Sequence, residues 1–167
     1  MTLTAFNNLP IKSAHKVLEN CCGAGKWLAG MLSSRPFEDE NALYATAREI
    51  WQACSREDGL EAFSHHPKIG DLQSLQKKYA ATQAWASQEQ AGTQTASLAT
   101  LQALAEGNKA YESKFGYIFI VCATGKSAEE MLHLLEERLG NKPDEEIKIA
   151  MNEQAKITQI RLRKLLE

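Results

Sequence analysis

Two histidines stand side by side in the run Ser64-His65-His66-Pro67-Lys68-Ile69-Gly70-Asp71. Histidine is the common side chain that gains and loses a proton near neutral pH. Pro67 fixes its own φ and turns the residue before it away from helical backbone. His66 is therefore expected on a stiff corner between two helical stretches, a suitable mount for a general acid or base. The plainer alternative is a polar loop that happens to hold two histidines. Arg161 is the second candidate. It falls on the same helical side as Ile147, Ala150, Met151, Ile157, Leu162 and Leu165, whereas Arg163 points the other way. An arginine on an apolar stripe must find an anion or several acceptors. A structural ion pair would satisfy it as well as a substrate anion. The third candidate is Ser87-Gln88-Glu89-Gln90-Ala91-Gly92, where a carboxylate beside an amide suits a ligand rich in N–H groups. A solvated helix start reads the same way. His133 lies within a helical pattern and reads as surface or core.

The elements that must hold these residues read as helices. A first helix is expected from about Lys12 to Leu32, broken near Gly23 and Gly25. A second starts near Pro36, with Glu38, Asp39 and Glu40 in its first turn, where acids suit the helix dipole. A short element from Arg56 to Phe63 leads into the His66 corner. A long helical stretch follows from about Thr82 to Tyr111, with Gly92 as a possible break. The run Lys114 to Ala123 is β-branched and aromatic, and no second convincing strand is present to pair with it. It is expected as a buried apolar helix or an extended stretch packed between helices. Ser127 then caps a helix, with Glu130 placed to complete a capping box, and Gly140 stops it near Leu139. The last helix opens at Pro143-Asp144-Glu145-Glu146 and closes with Arg161, Arg163 and Lys164. The sum is an all-α fold, a single compact multi-helix domain over residues 1–167 with about seven or eight helices.

Composition narrows the class. A formal net charge of −2 without a basic stripe argues against nucleic acid. No apolar run approaches the length of about 20 residues that a membrane helix needs. The opening residues lack the basic-then-apolar pattern of a secretory signal, so a soluble cytoplasmic protein is the default expectation. Cys21, Cys22, Cys54 and Cys122 form no Cys-x-x-Cys pair and are expected as reduced thiols, with no metal site. No complete phosphate-binding loop, dinucleotide fingerprint or His-Glu-x-x-His motif occurs. Thr124-Gly125-Lys126-Ser127 is similar to the end of a phosphate loop, but Ile120 stands where the upstream glycine is needed. The candidate set is one His, one Glu, one Arg and some backbone, with no obvious cofactor.

These residues resemble a known family. His-Pro-x-Ile-Gly-Asp at 66–71, Glu89-Gln90-x-Gly92, Lys114-Phe115-Gly116 with Phe119-Ile120-Val121-Cys122-Ala123, and Ile160-Arg161-Leu162 occur in the order seen in the 2-oxo-4-hydroxy-4-carboxy-5-ureidoimidazoline (OHCU) decarboxylases of urate breakdown. The resemblance implies an all-helical homodimer that converts OHCU to (S)-allantoin and CO2 without a cofactor. It places the catalytic histidine at His66, the acidic residue at Glu89 and the arginine at Arg161. It puts Pro67, Ser87, Gln90 and the segment Phe119, Ile120, Val121, Cys122 and Ala123 against the substrate. One departure is visible. Where many members carry a serine three residues before the glutamate, this chain has Ala86, with Ser87 beside it.

Two other readings compete. A metal-dependent hydrolase could use His65, His66 and Asp71. A non-enzymatic helical adaptor would need a wide apolar groove.

Overall fold

A computed structural model describes residues 1–68, 70–79 and 97–167. Among these residues there are nine helices and no strand. In chain order they are α1 (Leu3–Asn7), α2 (Ile11–Glu19), α3 (Gly25–Ser33), α4 (Glu40–Gln52), α5 (Arg56–Ser64), α6 (residues 72–79), α7 (Leu98–Phe115), α8 (Ala128–Leu139) and α9 (Pro143–Leu166). The all-α expectation holds. The expected helix from Thr82 lies outside the described residues up to 96, and α7 runs four residues beyond its expected end at Tyr111.

The described chain divides into two compact units. The first contains Met1–His66, Ile120–Cys122 and Ile147–Glu167. Within it α3 packs against α2, α4 and α5. Trp27, Met31, Leu18, Leu43 and Leu162 are fully buried in its core. Burying each such side chain contributes about 1.5–3 kcal/mol. The indoles also lock elements by hydrogen bonds, because a buried N–H needs an acceptor. Trp27 Nε1 donates to the Ala47 carbonyl at 3.1 Å, and Trp51 Nε1 to the Met151 carbonyl at 2.9 Å.

The break expected near Gly23 and Gly25 is real: residues 20–24 separate α2 from α3. The second expected boundary is corrected. α4 begins at Glu40, not at Pro36, because Asp39 takes extended backbone (φ −147°) and its carboxylate accepts from Ala42 N at 2.7 Å. A side-chain acceptor at the N-cap satisfies an amide that has no helical partner, and this outweighs the preference of proline for the first helical turn. At α5 the cap is a reciprocal box: Ser55 accepts from Asp58 N, and the Asp58 side chain accepts from Ser55 N at 2.7 Å. This box fixes where α5 starts, and so where it delivers His66.

The second unit contains Pro67–Phe119 and Ala123–Glu146, apart from the undescribed residues. Here α7 packs on α8. Leu104 and Tyr111 on α7 and Met131 and Leu135 on α8 are buried, and Tyr111 meets Phe115 with ring centroids 4.6 Å apart. As expected, Ser127 caps α8, accepting from Glu130 N at 3.1 Å. Gly140 ends α8 in right-handed backbone (φ −79°), so its stop needs no special conformation. The left-handed stop is at Gly116, which closes α7 with φ 83°. Residues 118–123 are then neither helix nor strand, which removes the helical alternative for this run.

At Gly116 a Cβ would touch nothing within 4 Å, so the backbone angle alone penalises a side chain. Gly116→Ala is expected to destabilise by about 1–2 kcal/mol, read as a lower denaturation midpoint with unchanged m. An unchanged midpoint would show that the α7 end relaxes freely.

Candidate active site

The histidine corner forms where α5 runs out. His65 is the C-cap of α5, and the His66 amide still reaches the Phe63 carbonyl at 3.2 Å. Pro67 offers no amide to continue the helix. His66 thus lies between α5 and α6, as its sequence neighbours imply. It is half-buried, and its Nε2 is 2.5 Å from Gln154 Oε1 on α9. Burial is the largest influence on the His66 imidazole and pushes its pKa down from the usual value. The Gln154 hydrogen bond raises it, and the nearby Arg161 and His65 charges lower it again. A lowered pKa leaves the ring neutral at neutral pH, able to accept a proton.

His65 takes a different course. Its Nδ1 lies 3.0 Å from the Glu61 carbonyl of its own helix, and its Nε2 is 4.0 Å from Glu19 Oε1. Its ring occupies the space that a side chain at Gly23 would fill: a Cβ there would come within 2.3 Å of the imidazole. Any larger residue at 23 must displace His65, so this glycine belongs to the histidine corner.

On α9, Gln154 is fully buried and Thr158 nearly so. Gln154 Nε2 donates to Thr158 Oγ1 at 3.1 Å, and Thr158 Oγ1 donates to the Cys21 carbonyl at 3.4 Å. Arg161, one turn further, is half-buried and donates to the Asn20 carbonyl at 3.2 Å. That contact answers the sequence question in part. Arg161 spends one N–H on the open end of α2, and a guanidinium has four more. The fixed end leaves the planar fork suited to an anion. Ile120 is buried and Val121 and Cys122 are half-buried in the same compact unit as His66, Gln154 and Arg161. The Cys122 amide lies 3.4 Å from Glu153 Oε1, so this backbone N–H already faces a carboxylate oxygen.

Burial pushes the Cys21 and Cys22 thiols up to about 11, so both stay protonated, in keeping with their expected role as small buried groups. Cys21, Cys22 and Cys54 carry free thiols. Among the described residues no three His, Cys, Asp or Glu side chains group to hold a metal ion. His133 is exposed and pairs with Glu137 at 3.1 Å, a surface role. Ser127 Oγ is committed to capping α8, which accounts for the Thr124–Ser127 run without a phosphate.

Pro67, exposed, and Phe119 and Ala123, half-buried, belong to the second unit. Ser87, Glu89 and Gln90 lie outside the described residues, as does Ala86. Gln154, Thr158 and Glu153 were absent from the sequence-based candidate set. A signal for two of them existed. On a helical wheel Gln154 and Thr158 fall within about 20° of Ile147 and Leu165, at the centre of the apolar stripe. Two polar residues there need partners.

The profile of the family described as OHCU decarboxylase matches residues 7–163. The chain belongs to the OHCU decarboxylase family. It is 43% identical over 146 residues to the uric acid degradation bifunctional protein TTL of Arabidopsis thaliana, covering 87% of this chain and 45% of that protein. It therefore spans less than half the length of that relative. Against the 2-oxo-4-hydroxy-4-carboxy-5-ureidoimidazoline decarboxylase of Amia calva the identity is 28% over 159 residues, covering 94% of this chain and 87% of that protein. A crystal structure of OHCU decarboxylase in the presence of (S)-allantoin superposes with a TM-score of 0.71 at 42% identity, covering 89% of this chain and 95% of that one. The resemblance read from the OHCU decarboxylase motifs and the observed helical fold thus agree.

Proposed function

We propose that this chain decarboxylates OHCU to (S)-allantoin and CO2 in urate degradation, as a carboxy-lyase, with His66 as its acid/base. The observation that carries the histidine's role is a half-buried imidazole held neutral beside a cationic arginine. The activity itself is supported by the family match over nearly the whole chain.

The chemistry suits these side chains. In OHCU the carboxylate leaves a carbon that bears a hydroxyl and adjoins a ring C=N. As the C–CO2 bond breaks, its electron pair flows into that C=N, so the substrate provides its own electron sink and needs no added cofactor. Neutral His66 takes the hydroxyl proton or, once protonated, returns a proton to one face of the enol intermediate. Return from one side sets the (S) configuration. Arg161 binds an anionic or carbonyl oxygen of the substrate. Glu89, with Gln90 and Ser87, holds the ureido and ring N–H groups. The residues Phe119 to Ala123 line the ring, and Pro67 stiffens the corner beside it. Backbone N–H groups of Ile120 to Cys122 stabilise charge that builds on ring oxygen. At Cys122 such an oxygen competes with Glu153 for the amide.

Residues 1–167 act in this reading as one catalytic domain, and the active species is a homodimer in the cytoplasm. Free thiols at Cys21, Cys22 and Cys54 agree with a reducing compartment. No helix among the described residues is long and apolar enough to cross a membrane.

The test uses OHCU generated in place by urate oxidation and hydrolysis, followed by circular dichroism. Rapid appearance of optically active allantoin is expected when the protein is added. Racemic allantoin formed at the background rate would reject the activity. The same assay gives a pH profile. His66 is depressed below the usual histidine value of 6.5, so the neutral form already dominates at pH 6.5. The acid-limb midpoint of the rate should therefore lie below pH 6.5. A midpoint at or above pH 6.5 would contradict the depressed pKa.

A further inference from the structure

A chain of hydrogen bonds runs from the turn before α3, across α9, to the His66 ring, and its direction is fixed from one end. The Cys21 carbonyl oxygen can only accept, so Thr158 Oγ1, 3.4 Å away, donates to it. A hydroxyl has one proton. Thr158 Oγ1 is then the acceptor for Gln154 Nε2 at 3.1 Å. That contact decides which way the amide lies, because only the NH2 end can donate to Thr158. The oxygen end is left facing His66 Nε2 at 2.5 Å, and an amide oxygen can only accept. His66 Nε2 must therefore carry a proton. A neutral imidazole has one N–H, so Nδ1 keeps the lone pair.

We propose that Gln154 and Thr158 are positioning residues that hold His66 as the Nε2–H tautomer and so make Nδ1 the atom that exchanges protons with the substrate. This rests on reading His66 as the acid/base. The burial of the relay explains its strength as a constraint. Gln154 is 0% exposed and Thr158 4%, so water cannot offer the amide an alternative partner that would let it turn over. The charged and titratable groups acting on His66 are Arg161 on α9 and His65 at the end of α5. Both disfavour the imidazolium, and neither contributes an acceptor to Nε2.

The first test needs no variant. Protein labelled with 15N-histidine is examined by long-range 1H–15N correlation above the His66 titration, with His66 assigned through the His66→Gln protein. A pyrrole-type Nε2 with a pyridine-type Nδ1 is expected, and the reverse pattern overturns the proposal. The second test is Thr158→Val, which keeps the shape and removes the hydroxyl. The Gln154 amide then loses its reason to face one way. The His66 signals should move toward the Nδ1–H pattern, and kcat should fall about 10–100-fold with little change in KM. A variant with the wild-type tautomer and wild-type kcat overturns the relay. Failure of the underlying reading would look different. If His66→Ala keeps its turnover, the acid/base role is wrong whatever the spectrum shows. If His66→Ala is inactive but the spectrum shows Nδ1–H, the relay alone is wrong.

Discussion

His66→Ala is expected to lower kcat on OHCU by about 10²–10⁴-fold while the protein stays folded. The magnitude is that of a positioned general acid/base, since the substrate's own C=N still takes the electrons and Arg161 is still present. The fold should survive because His66 is only half-buried and lies beyond the last turn of α5. A modest loss of stability is expected even so. Alanine leaves the buried Gln154 Oε1 without its donor, and an unsatisfied buried acceptor costs about 1–3 kcal/mol. His66→Gln keeps a side chain long enough to reach that oxygen and should lose less stability, while being equally unable to act as a base near neutral pH. The pair of variants separates chemistry from folding. Near-normal turnover in a folded His66→Ala protein would remove His66 from the mechanism.

The largest expected effect on stability lies in the second unit. Glu146, in the first turn of α9, is fully buried, and Arg138, in the last turn of α8, is 6% exposed. The Arg138 Nε donates to the Glu146 carboxylate, and its Nη2 lies 3.4 Å from Tyr111 Oη. Its guanidinium also stands over the Phe119 ring, 4.5 Å from the centroid. Glu146→Gln keeps the shape and removes the charge. It takes the carboxylate charge away from a buried guanidinium that also meets the Tyr111 hydroxyl and the Phe119 ring. Breaking one side of a buried pair costs about 3–5 kcal/mol. The measurement is the urea midpoint, with an unchanged m as the sign that the unfolded state is the same. A loss below about 1 kcal/mol would mean that water reaches the pair and screens it. Arg138→Met combined with Glu146→Leu should recover most of the loss, since two apolar groups need no partner.

Much of this was legible in the chain. Helical periodicity is strong in α3, α4, α8 and α9, where apolar residues must face a core, and it yielded the all-α class. Gly23 and Gly25 marked the break between α2 and α3, and Pro67 marked the end of α5. The start of α4 was misplaced because Pro36 and Asp39 both signal a helix start, and only the local backbone decides between them. The run after Gly116 was ambiguous because apolar periodicity cannot tell a buried helix from irregular chain packed on both sides. Glu146 was read as a charge that suits a helix start, which it is, and Arg138 was not singled out. Their meeting depends on how the end of α8 is brought to the start of α9, and no spacing rule contains that. Gln154 and Thr158 were passed over because a stripe is read from its apolar members. In both cases the missing information was the partner of a buried polar group.

The turn at residues 20–24 has a consequence for which changes the protein can tolerate. Asn20 O receives Arg161 and Cys21 O receives Thr158, so two successive main-chain oxygens anchor two side chains of α9. No substitution of a side chain can delete a main-chain oxygen. The anchorage is therefore indifferent to the chemical identity of residues 20 and 21, yet sensitive to the path of the chain. Cys21→Ser or Cys21→Ala leaves both anchors in place, while a single inserted residue between Asn20 and Gly25 would move both at once. At residues 20 and 21, chain length rather than side-chain identity keeps both anchors in place.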